Sequence, residues 1–166
     1  VDARATVVNG DLIFWRFSDL PIGAEPFFIR METPASFADV VSLTPFRVLE
    51  TRPGEDTGDG RFELRRTIGA GETVELDVLG RGGVPGSGVG SVVLNTTLVS
   101  PRGPGFVTVF PCSAAGPPLA SSVNSLGPGG DVANEVIVKL GDGDRVCVFA
   151  AMETDMVMDV TGWTTT

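Results

Sequence analysis

Chemistry in this chain has to be done by carboxylates, guanidiniums, hydroxyls and two thiols, because it contains no histidine and a single lysine, Lys139. Histidine is the usual proton carrier near neutral pH and the commonest metal ligand. Its absence excludes Ser-His-Asp and Cys-His catalysis and every histidine-containing zinc site. Two cysteines alone, Cys112 and Cys147, do not make a zinc site. Their even number in a secreted-looking chain predicts one disulfide, closing a loop worth roughly 3–4 kcal/mol of chain entropy. The sequence therefore predicts a protein that is not an enzyme and carries no cofactor or metal.

The remaining polar constellations are weak. Arg47 and Arg52 bracket Glu50. In a regular strand from Phe46 to Thr51, Arg47 and Leu49 share one face, and Val48, Glu50 and Arg52 the other. This predicts an ion pair that pins the entry of the chain, with an anion or glycan site as the functional alternative. Asp56-Thr57-Gly58-Asp59-Gly60 and Gly141-Asp142-Gly143-Asp144 lack the spaced ligands and later bidentate Glu of a calcium loop and read as solvated turns. Gly80 to Gly90 lacks the Lys-Ser/Thr ending of a phosphate-binding loop and reads as a flexible loop or bulged strand. Asn95-Thr96-Thr97 is a glycosylation sequon inside a strand-like run. The amides of Asn95 and Asn134 are expected to bond backbone at a sheet irregularity. Among 21 acidic residues, some carboxylate pair falls at glycosidase spacing by chance, which is no evidence for hydrolysis.

The elements that must position these residues are strands. Val74, Leu76 and Val78 alternate with Glu75 and Asp77, the pattern of a half-buried strand. Ser91–Val99, Gly105–Phe110, Glu135–Leu140, Arg145–Phe149 and Met156–Val160 are further strand-like runs, and Gly141 to Asp144 reads as a hairpin turn joining two of them. Proline and glycine punctuate between the runs, with 22 Gly and 12 Pro in 166 residues. One short helical turn is expected near Thr33 to Val40. The expected architecture is all-β, an antiparallel β-sandwich with jelly-roll-like connections.

Composition shifts near residue 40. Residues 1–39 hold Phe14, Trp15, Phe17, Phe27, Phe28 and Phe37, and residues 40–166 form the sandwich domain. In extended chain, Ile13, Trp15 and Phe17 share a face, as do Phe27, Ile29 and Met31. The segment reads as an amino-terminal arm or as extra strands of the sandwich, and its aromatic surface needs a cover.

A net charge of −9 disfavours nucleic acid and anionic membranes, which need clustered Lys and Arg. No apolar run reaches the roughly 18–20 residues that span a bilayer. The chain begins at Val1, as expected of a mature protein whose leader has been removed.

From about Leu43 onward the chain resembles a β-domain of unknown function found in secreted and cell-wall-associated actinobacterial proteins. The residues that carry the resemblance run in a fixed order: Pro45 to Arg52 (PFRVLETR), Gly80 to Pro85 (GRGGVP), Val92 to Thr97 (VVLNTT), Gly105 to Cys112 (GFVTVFPC), Ala133 to Val138 (ANEVIV), Val146 to Val148, and Asp155 to Gly162. The family usually carries Tyr where this chain has Phe106, Phe110 and Trp163, and tyrosine is absent here. The resemblance implies an extracellular accessory or structural domain with no catalytic residues.

The expectation that follows is a secreted, non-enzymatic subunit of a cell-surface filament. Copies would be joined by strand exchange, with Ile13, Trp15, Phe17, Phe27, Ile29 and Met31 at the interface. The alternative is a carbohydrate- or cell-wall-binding module, with Trp15 and Trp163 stacking on sugar rings.

Overall fold

The computed structural model describes residues 39–166 throughout and, before them, the strands Asp2–Val8, Leu12–Ser18 and Ile29–Glu32. The chain divides into two compact units, Val1–Asp39 and Val40–Thr166. In the first unit, β1 (Asp2–Val8), β2 (Leu12–Ser18) and β3 (Ile29–Glu32) form an antiparallel sheet of their own, with β2 in the middle. Phe27, and all of the expected helical turn before Asp39, lie outside the described residues.

The second unit is a sandwich of two antiparallel four-stranded sheets. Its strands are β4 (Val40–Glu50), β5 (Glu72–Asp77), β6 (Val89–Val99), β7 (Gly105–Pro111), β8 (Val123–Ser125), β9 (Val132–Lys139), β10 (Arg145–Ala150) and β11 (Asp155–Thr165). One sheet has the order β5-β10-β7-β8, the other β4-β11-β6-β9. Among the described residues there is no α-helix, only a short 3₁₀ turn at Asp142–Asp144.

Alternation builds the core between the sheets. Val74 and Leu76 of β5, Val107 and Val109 of β7 and Val146, Val148 and Ala150 of β10 meet Val92, Leu94 and Leu98 of β6 and Met156, Met158 and Val160 of β11. Full burial of each Val, Leu or Met side chain contributes about 1.5–3 kcal/mol. Thr96 sits in the same inward register, and its hydroxyl is buried without a hydrogen-bond partner among the described residues.

Two bulges re-aim side chains. Leu49 pairs with Met158 and Arg47 with Asp159, so Val48 is an extra residue in β4. Val160 pairs with Leu94 but Gly162 with Val93, so Thr161 is extra in β11. The second bulge turns Trp163 inward beside Val92, where it packs half-buried against the core.

The expected hairpin at Gly141–Asp144 is not one. β9 belongs to one sheet and β10 to the other, so this segment is a corner that carries the chain between layers. Gly143 and Asp144 do take positive φ, 67° and 58°, as the residue types predict. A Cβ on Gly141 would stand 2.2 Å from the Cys112 backbone, which fixes glycine there.

Candidate functional site: a sealed edge and an open edge

Cys112 and Cys147 form a disulfide with Cα atoms 4.8 Å apart. Cys147 alternates out of the core onto the outer face of its sheet, opposite Phe110. Phe110, Cys112, Cys147 and Phe149 make a small second cluster there, with the Phe106 and Phe149 rings 6.3 Å apart. The segment after Cys112 folds back over this face. The Thr108 hydroxyl donates to the Ala120 carbonyl, and Val109 N–H donates to the Ser122 hydroxyl. A cleft of about 400 Å³ opens between Phe110, Pro111 and the Ser113–Pro118 turn. A second, of about 350 Å³, lies along Asn124–Val132. The first is lined by no charged side chain and the second by Asp131 alone, whose carboxylate accepts from Ser100 N–H.

Charge gathers at the other side of the sandwich, around β4, β5 and the long connection between them. Arg81 is the largest fully buried side chain, 2% exposed. Its guanidinium forks onto Asp59, with Nε–Oδ2 2.7 Å and Nη2–Oδ1 2.8 Å, and donates to the carbonyls of Asp77 and Arg61. The cation also stands 5.0 Å over the Phe62 ring. These hydrogen bonds from Arg81 lower the Asp59 carboxyl from 3.8 to about 2. The first acidic turn is exposed, as expected, but at Asp59 its carboxylate is also held by Arg81, and the Gly80–Gly90 stretch is tied down at its start. Its tight turn, closed by Val84 N–H on the Arg81 carbonyl, aims one arginine inward.

On the outer face of the β4 sheet, Arg47 Nη1 donates to Glu50 Oε2 at 2.8 Å and Nε to Asp159 Oδ1 at 2.6 Å. Arg52 holds both Glu50 oxygens. A regular strand would put Arg47 and Glu50 on opposite faces. The Val48 bulge brings them together, which corrects the expectation from plain alternation. Burial alone would raise the fully buried Glu50 carboxyl, but the Arg52 hydrogen bonds and the Arg47 charge more than offset it and hold it low. Two cations meet two carboxylates, so this cluster offers no net positive site for an anion.

This machinery seals the β4 edge from Arg47 to Glu50, while Val40 and Val41 at the strand's start are exposed. Gly58 N–H donates to the Arg47 carbonyl, Glu50 N–H to Phe62, and Leu64 N–H to Glu50. Phe46 fits against Gly58 and Gly82, where a Cβ would stand 2.4 and 2.7 Å from its atoms. Edge β5 is short and acidic, with Glu72, Glu75 and Asp77 paired to Arg66, Arg145 and Arg61. The Arg66 hydrogen bond and Gly69 N–H lower Glu72 to about 2.

The opposite edge is open. β8 is three residues long and lies beside β9. Among the described residues, no backbone group pairs with the outward side of β9, and Glu135 and Lys139 enter no ion pair. Ile137 of β9 is 63% exposed, and Leu119 and Leu126, in the connections on either side of β8, are almost fully so. Asn134 bonds the Ser122 carbonyl, as its type suggested.

Sequence reasoning found the cysteines and the Arg47–Glu50–Arg52 group but missed Arg81–Asp59 and the open edge. The signal for the former was an arginine amid glycines with an acidic turn upstream. Of the expected interface residues, Ile13, Trp15 and Phe17 fall on alternate positions of β2, and register aligns Trp15 with Ile29 and Ile13 with Met31. Among the described residues no group of three or more acidic or cysteine side chains is placed to hold a metal, and no helix is long and apolar enough to cross a membrane.

Fold and site together define an all-β, disulfide-bonded sandwich whose β4–β5 flank is largely guarded and whose β9 edge is not. No family model, no curated protein and no solved structure matches the chain.

Proposed function

We propose that this chain is a secreted, non-enzymatic structural subunit of an extracellular, cell-surface assembly, held to further copies by β-strand addition. The single observation that carries this reading is the open edge of β9, eight residues with an exposed Ile137. An unpaired row of N–H and C=O groups is a template for another strand. The separate amino-terminal sheet supplies candidate donors, and a contact between two different surfaces builds a filament wherever its rotation does not close into a ring. The disulfide agrees with an oxidising compartment, and the resemblance to secreted actinobacterial β-domains points the same way. The side chains that move protons near neutrality are missing, and the carboxylates with lowered pKa are held by arginines.

A cell-wall glycan module is the weaker reading. It needs exposed aromatics, whereas Trp163 packs against the core and the exposed large apolar residues among those described are all aliphatic. Light scattering and negative-stain microscopy over a concentration series test the proposal. The expected result is concentration-dependent linear multimers; a monomer at every concentration overturns it.

A further inference from the structure

Resting on that reading, we propose that the strand received by β9 is β1 of a second copy. The other edges are poor acceptors. β4 is bonded to the 58–64 segment from Arg47 to Glu50 and its register is irregular between Ser42 and Phe46, β5 is lined with paired acidic residues, and β8 is three residues long. On the donor side β2 is the middle strand, so both of its edges are already used. In this proposal the aromatic strand β2 keeps its place in its own sheet, and the edge strand beside it is the one donated. Of the two edges, β3 has four residues and β1 seven, which matches the eight of β9.

Charge and patterning fix a register. Antiparallel pairing with position 2 opposite position 139 uses all of β1 and ends with position 8 opposite position 133. It sets an aspartate opposite Lys139 and places Arg4 diagonal to Glu135, both favourable cross-strand relations. It also puts Arg4 across from Ile137, where the aliphatic stem of an arginine covers apolar surface. Positions 3 and 5, both alanine, come opposite Val138 and Val136, whose register with Val92 and Leu94 faces the interior. By register in the small sheet, Ala3, Ala5 and Val7 share a row with Phe17, Trp15 and Ile13. The apolar row of one copy thus continues the interior side of the next copy's sheet, towards the exposed Leu119 and Leu126 around β8.

The test mixes two single variants of the full chain, Thr6→Cys and Glu135→Cys, which the register sets opposite each other. Under mild oxidation the mixture should give one cross-linked dimer on a non-reducing gel, absent from either variant alone and from a mixture of Thr6→Cys with Glu75→Cys. Lys139→Glu should weaken association about fivefold, and Asp2→Lys added to it should restore the affinity. Multimers that form without the 6–135 cross-link overturn the β1–β9 pairing while leaving strand addition standing. A chain that neither cross-links nor multimerises overturns both. Circular dichroism of each variant against the wild type distinguishes a lost contact from a lost fold.

Discussion

The two flanks of the sandwich solve the same problem in opposite ways. At the β4–β5 flank, the second half of β4 is met by a connection and an ion-pair cluster, a buried arginine braces the loop beside it, and the acidic residues of β5 are paired. At the β8–β9 flank the strand is long, its outward backbone is unpaired among the described residues, and aliphatic side chains stand in water. Sheet edges are a liability that proteins ordinarily blunt. A chain that blunts one edge so thoroughly and leaves the other bare points to the bare one as its working surface.

The largest effect is expected at the sealed flank. Arg81→Ala leaves Asp59 without its buried cation and Phe62 without its cover. Asp59 keeps its contact with water, so the cost is that of the lost charge-assisted hydrogen bonds, about 1.5–3 kcal/mol, to be read as a lower urea midpoint at unchanged slope. If the flank is sealed by Arg81, hydrogen exchange at Glu50 and Leu64 amides should accelerate with it.

Acid should loosen the same flank less completely. Asp59 and Glu72 have folded-state values lowered from 3.8 and 4.5 to about 2. Their stabilisation is present above the unfolded values and disappears as pH falls through the folded ones. Thermal melts should therefore hold steady from neutrality to near pH 5 and drop between about pH 4 and pH 2. Glu50, also held low, adds to the drop. Open-edge residues Glu135 and Ile137 should show no matching acid-induced exposure before global unfolding.

The smallest stability change belongs to the open flank. Ile137→Lys alters an exposed edge position and should move the melting midpoint within about 0.5 kcal/mol. Multimer formation should nevertheless collapse, because a second cation beside Lys139 opposes the incoming strand. Retained multimers would move the working surface elsewhere.

The alternation in β5, β7 and β10 made the strands and their inward residues readable, because a half-buried strand writes its burial into every second position. The Arg47–Glu50 contact was not readable as geometry: it depends on one extra residue at Val48, and nothing in the local composition marks that bulge. The same holds for Trp163, which faces inward only because Thr161 is extra. Gly141–Asp144 carries the chemistry of a turn, but turn chemistry does not say whether the next strand stays in its sheet. Arg81 hid among glycines because its partner lies 22 positions earlier, a distance at which residue patterning is silent.

Val40 opens β4 directly after the amino-terminal unit, and β9 forms the far edge of that same sheet. Were copies joined at β9 as proposed, a mechanical pull would enter each sandwich at β4 and would have to cross β11 and β6 to leave it. Those four strands would then bear the tension in series. The Cys112–Cys147 brace belongs to the other layer, off that path, where it would guard the resting fold rather than the strength of such a cable.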